Sequence, residues 1–171
     1  MFAPGQLVVY PAQGVGKVER IERRNISGVD TIFYIVRILT NNITLMVPVA
    51  TAVHVGLRSI CSPDKADAVL ALLQDRSSFT GYIGQNWNRR YREYSERLKS
   101  GDLADVSHVL QELILISNVK ELSFGERRLL EQAMSLVTME LACVLHRDAA
   151  DIKAQVDGIF ADILLKEEKT V

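Results

Sequence analysis

Cysteine is almost missing from this chain: Cys61 and Cys143 are the only two among 171 residues. They lie far apart, fit no metal-ligand spacing, and read as free thiols of a reducing compartment. Histidine is nearly as scarce. His54, His108 and His146 are scattered, with no second ligand at helical spacing, so neither a zinc site nor a histidine acid–base pair is expected. No apolar run reaches membrane-spanning length, and Met1-Phe2-Ala3-Pro4-Gly5 has neither the basic nor the apolar stretch of a secretory signal. Gly14-Val15-Gly16 falls between two strands, so it is not a dinucleotide fingerprint, and a phosphate-binding lysine loop is also lacking. The expectation is a cytoplasmic protein that is not an enzyme, with no cofactor, metal or membrane partner.

Neither sign of charge is in excess, with 20 Lys and Arg against 21 Asp and Glu. That balance conceals an asymmetry. Residues 1–62 carry about +3, residues 63–100 about +2, and the remainder about −6. A polyanion would therefore meet the first hundred residues. Hydrophobic content of 48% with 24% charged residues is a soluble globular composition, long enough for one ordinary domain or two small ones.

The chain changes character near residue 60. Before it, Leu7–Tyr10, Val15–Glu22, Thr31–Leu39 and Ile43–Val47 read as strands, punctuated by Pro11, Ser27-Gly28, Asn41-Asn42 and Pro48. Val15, Val18 and Ile21 alternate imperfectly, which points to a bend or bulge. Short strands with tight turns close most economically into a small SH3- or Tudor-like barrel. After it, Ser62-Pro63 starts a helix over Ala66–Leu73, and Arg76–Gln85 reads as a linker. A helix then runs from Trp87 to Lys99, stopped by Ser100-Gly101, with Asp102 capping the next. That next helix carries Leu103, Val106, Leu110, Leu113 and Ile114 on one stripe. Ser123-Phe124-Gly125-Glu126 is a capping box. It opens a long helix expected to face Leu130, Met134, Val137, Leu141 and Leu145 inward, before a last helix with Ile152, Val156, Ile159, Phe160 and Ile163. The fold class is α+β: a β-barrel over residues 1–60 and an all-α bundle over 61–171.

Trp87 is the single tryptophan, and Asn88-Arg89-Arg90-Tyr91-Arg92 follows it directly. A lone tryptophan is most often a packing anchor, and an arginine cluster is often a solvated face. A flat apolar ring beside three guanidiniums is also what is needed to hold phosphates and press a wedge against a base step. Cations at a helix start are unfavourable by a few tenths of a kcal/mol, so three of them there suggest a use. With Tyr91, Tyr94 and Leu98 facing the bundle, several guanidiniums would remain free.

Gln6-Leu7-Val8-Val9-Tyr10-Pro11-Ala12-Gln13-Gly14-Val15-Gly16, Phe33-Tyr34-Ile35-Val36, Met46-Val47-Pro48 and Val55-Gly56-Leu57-Arg58 resemble the bacterial CarD/CdnL family. So do Asn86-Trp87-Asn88-Arg89-Arg90-Tyr91, Ser100-Gly101-Asp102 and Leu122-Ser123-Phe124-Gly125-Glu126-Arg127. The motifs fall in the right order over nearly the whole chain. The resemblance implies a Tudor-like module that docks on the β subunit of RNA polymerase, through residues matching Arg24, Ile35, Met46 and Pro48. It also implies a helical domain that touches promoter DNA, weakly and with little sequence preference, at the upstream edge of the transcription bubble. Trp87 would enter the minor groove, with Arg89, Arg90 and Arg92 on the backbone or groove, and the open complex would live longer. Some relatives carry arginine where this chain has Met46, so docking here would lean on apolar contact. No long basic or AT-hook tail like the founding member's is present, which places the chain with the short, stand-alone members. A monomer that reaches the nucleoid through polymerase is the expectation. The competing reading is a protein-only adaptor whose Trp87 is buried in an interface.

Overall fold

The computed structural model describes residues 1–79 and 86–167, and the chain divides into two compact units, Met1–Ile60 and Cys61–Val171. Residues 80–85, part of the segment read as a linker, lie outside the described residues. The first unit is one antiparallel sheet: β1 (Leu7–Tyr10), β2 (Gly14–Ile26), β3 (Val29–Ile38), β4 (Thr44–Pro48) and β5 (Arg58–Ser59), in the order β4-β3-β2-β1-β5. A single 3-10 turn, Val49–Thr51, leaves β4.

The β2–β3 hairpin is longer than expected from its polar residues. Glu22, Arg23, Arg24 and Asn25 pair with Phe33, Ile32, Thr31 and Asp30, because a backbone ladder continues whatever the side-chain polarity. Ser27 and Gly28 make the turn with φ of 53° and 84°, the two left-handed residues a tight hairpin needs. The irregular alternation in β2 has its cause in a register shift between Val18 and Arg20, which leaves Glu19 without a ladder partner. Such a bulge bends the strand and reverses which residues face inward. Val18 points to the core before it and Ile21 shares Tyr34's face after it. The core gathers Val8, Val18, Tyr34, Val36, Ile38, Val47, Ala52 and Leu57. β5, two residues paired to Val8 and Val9, carries too little pattern to be read from sequence.

The second unit holds α1 (Pro63–Gln74), α2 (Trp87–Ser100), α3 (Leu103–Ser117), α4 (Phe124–Leu145), α5 (Ala149–Ile159) and α6 (Ala161–Glu167). The starts follow the local signals: the Ser62, Asp102 and Ser123 side chains each accept hydrogen bonds from first-turn amides. Gly101 ends α2 at φ 75°, and Asp102 caps α3 while pairing with Lys65 of α1 at 2.6 Å. α3 is buried on nearly every side, the pattern of a central helix. Its Gln111 Nε2 donates to the carbonyls of Leu72, Leu73 and Asp75, satisfying acceptors that the end of α1 leaves open.

Two expectations for the helices need correction. The inward ridge of α4 runs through Leu129, Ala133, Val137 and Leu141, whereas Leu130, Met134 and Leu145 are only half-buried. Both 130 and 129 are leucines, so only the neighbouring helices decide the rotation. The last helix is interrupted at Phe160. Arg76 donates to the Ile159 carbonyl at 2.9 Å, pairs with Asp162 at 2.8 Å, and lies 5.3 Å from the Phe160 ring centroid, holding the break. Among the described residues no single helix is long and apolar enough to cross a membrane.

Candidate functional site

α2 begins at Asn86, whose side chain accepts from the Asn88 amide at 3.0 Å, so Trp87 occupies the first helical position. From there the helix sorts its residues onto two ridges four apart. Arg90, Tyr94 and Leu98 form the buried ridge; Trp87 and Tyr91 form the adjacent one. Tyr91 is therefore exposed rather than turned into the bundle. Its ring lies 5.5 Å from that of Trp87 at an interplanar angle of 57°.

Trp87 is half-buried, and what it rests on is backbone. A Cβ added to Gly125, the second residue of α4, would stand 3.0 Å from Trp87 Cζ2 and 3.7 Å from Cη2. Only a glycine lets the indole approach so closely. The ring is thus partly seated rather than freely projecting, with Gly125 and Tyr91 bracketing it.

Arg90 corrects the expectation of three available guanidiniums. Its side chain is 7% exposed, and Nη1 sits 3.4 Å from Oε1 of Glu126, itself 2% exposed. Glu126 also accepts from Lys120 Nζ at 2.8 Å and, as the third residue of α4, from the Ser123 amide at 2.8 Å. Burial alone would raise the Glu126 pKa. The hydrogen bonds from Lys120 and Ser123, with the Lys120 charge, outweigh that and hold it below the ordinary value. Arg90 is therefore a strut between α2 and α4, and the same capping box that starts α4 places Gly125 against the indole.

The other two arginines face solvent. Arg89 is 76% exposed and pairs with Glu93 at 3.1 Å; Arg92 is exposed and has no ion-pair partner among the described residues. Arg97 reaches Glu112 at 3.7 Å. Buried Tyr94 has its hydroxyl pKa pushed up by burial and by the neighbouring Glu112 carboxylate. The residues around Trp87 that sequence reasoning missed are Gly125, Glu126 and Lys120. The capping box was visible as a motif, but nothing in the chain pairs it with a tryptophan one helix away.

In the first unit, register places Arg24, Ile35, Met46 and Pro48 on one face of the sheet. Ile35 pairs with Met46 and with Arg20, Phe33 pairs with Pro48 and with Glu22, and Arg24 pairs with Thr31. This face lies opposite the one that carries Val18, Tyr34, Val36 and Val47. Met46 is 40% exposed, whereas Ile35 is only 1% exposed, so Ile35 packs within the sheet and presents little surface. Glu22 bridges Arg20 at 3.0 Å and Arg24 at 2.5 Å, and its pKa is lowered, first by the Arg24 hydrogen bond.

A small antiparallel β domain is followed by a helical domain, with a separate candidate surface on each. Residues 2–61 match the CarD-like/TRCF RID domain, which is Tudor-like, and residues 68–157 match the CarD, C-terminal domain. The chain is also 24% identical over 154 residues to the "Putative transcription factor YdeB" of Bacillus subtilis (strain 168), covering 90% of this chain and 99% of that one. The chain belongs to the CarD-like family of transcription factors, whose RID domain interacts with the β subunit of RNA polymerase.

Proposed function

We propose that this protein docks on the polymerase β subunit through the outer face of its β domain and stabilises the open promoter complex through its helical domain. Met46 and Pro48 supply apolar docking surface, with Arg24 at the edge of the same face and Ile35 beneath it. Trp87 enters the minor groove at the upstream edge of the bubble, Arg89 and Arg92 hold the backbone, and Arg90 positions the helix that carries them. The protein acts as a monomer at the nucleoid.

One observation carries this reading: a half-buried tryptophan held on Gly125 and beside Tyr91, on a helix whose Arg92 has no carboxylate partner among the described residues. A ring braced from behind resists being pushed back when it meets a base step. Partial unstacking costs a few kcal/mol, least where the duplex is already opening. A few phosphate contacts give weak, salt-sensitive binding, and tethering to polymerase raises the effective concentration to about the millimolar range.

The test is the lifetime of promoter open complexes after competitor challenge, with wild type and Trp87→Ala. The substitution should remove most of the gain in lifetime while leaving polymerase binding intact. A full gain with the tryptophan gone, in protein that still binds polymerase, would refute the wedge and favour the adaptor.

A further inference from the structure

Phe124 is 73% exposed, the most exposed aromatic side chain among the described residues. Singly exposed apolar side chains are ordinary. This one differs in its surroundings. It is the first residue of α4 and the immediate neighbour of Gly125, the residue against which the indole of Trp87 rests. The Arg128 guanidinium lies 5.8 Å from its ring centroid, one helical turn on, and has no carboxylate partner among the described residues. Arg127 between them is paired with Glu121 at 3.6 Å, so that pair is neutral.

We propose that Phe124 is a second stacking site, taking an unstacked nucleobase of the opened DNA while Arg128 meets the adjoining phosphate. Charge complementarity selects this occupant over an apolar protein surface. A protein contact that buried the ring would also bury Arg128, and a desolvated unpaired guanidinium is costly. A nucleotide brings a π face for the ring and an anion for the cation together. The helix–helix contact through Gly125 and the Arg90–Glu126 pair hold the start of α4, which carries Phe124, against the start of α2, which carries Trp87. This inference rests on the proposed contact of Trp87 with the bubble edge.

The experiment uses full-length protein, polymerase holoenzyme and a promoter with 2-aminopurine at the unpaired positions of the upstream edge. Wild type, Phe124→Ala, Phe124→Tyr and Trp87→Ala are compared for probe fluorescence and open-complex lifetime. Phe124→Ala should shorten the lifetime by about five- to tenfold and relieve quenching of the probe, as for loss of one stacked base. Phe124→Tyr should retain both, and polymerase binding without DNA should be unchanged in all. If Trp87→Ala is defective and Phe124→Ala matches wild type, this inference fails while the wedge stands. If neither substitution has an effect, the wedge reading itself fails. If Phe124→Ala weakens polymerase binding without DNA, the ring is a protein contact and the proposal is overturned.

Discussion

Gly125 lies against the indole of Trp87: a Cβ there would be 3.0 Å from Cζ2, close enough that the ring would have to give by a few tenths of an ångström. Carbon atoms in contact prefer about 3.5–4.0 Å, so Gly125→Ala has to displace the ring. The overpacking cost, about 1 kcal/mol, is matched by alanine's helix preference of similar size. Thermal stability should therefore stay close to wild type. Tryptophan emission should shift red, acrylamide quenching should increase, and the open-complex lifetime should fall several-fold. Unchanged emission and quenching would mean that Gly125 does not seat the ring.

The Arg90–Glu126–Lys120 cluster yields an ordering of two variants. Glu126→Gln keeps an acceptor for the Ser123 amide but removes the carboxylate charge that faces the buried Arg90 guanidinium, costing about 3 kcal/mol in urea unfolding. Arg90→Met leaves Glu126 still neutralised by Lys120 and should cost less. The reverse order would show that the carboxylate is not what holds Arg90 inside.

Acid stability follows from the same carboxylate and from Asp102. Burial alone would raise the pKa of each, but hydrogen bonds and a lysine, Lys120 for Glu126 and Lys65 for Asp102, hold both below their ordinary values. The folded state then binds fewer protons than the unfolded chain in acid. Their contribution is complete above the unfolded values, about pH 4, and is lost as pH falls through the lower folded ones. Urea midpoints measured from pH 7 to pH 3 should drop mainly below about pH 4.5, with a shallower drop in Glu126→Gln.

Docking and packing separate at the Ile35–Met46 pair. Met46→Glu alters exposed surface and should reduce polymerase β co-purification about tenfold, about 1.4 kcal/mol, with little change in unfolding. Ile35→Ala removes a side chain that is almost fully buried and should cost about 2–4 kcal/mol of stability. Normal co-purification by Met46→Glu would remove this face from the tether.

Salt dependence distinguishes the two exposed arginines from Arg90. On forked promoter DNA bound with polymerase, Arg92→Ala should lower the slope of log affinity against log salt by about one phosphate contact. Arg90→Met should leave that slope unchanged, because its guanidinium faces Glu126.

Much of this fold is written locally. The strand segments, the Ser27-Gly28 turn, the bulge near Val18 and the caps at Ser62, Asp102 and Ser123 depend on residues within a few positions of one another. Backbone hydrogen bonds and side-chain periodicity of that range can be read from the chain, and the ordered motifs supplied the family. The tertiary structure alone decided which of two adjacent leucines, Leu129 or Leu130, turned inward, that the last helix breaks at Phe160, and that Arg90 is a buried strut. It also decided that Trp87 meets Gly125. Each of these depends on the shape or charge that a distant segment presents: an open backbone shelf, a buried carboxylate, or the Arg76 donor at the end of α5. No spacing rule relates such partners, because only packing brings them within reach.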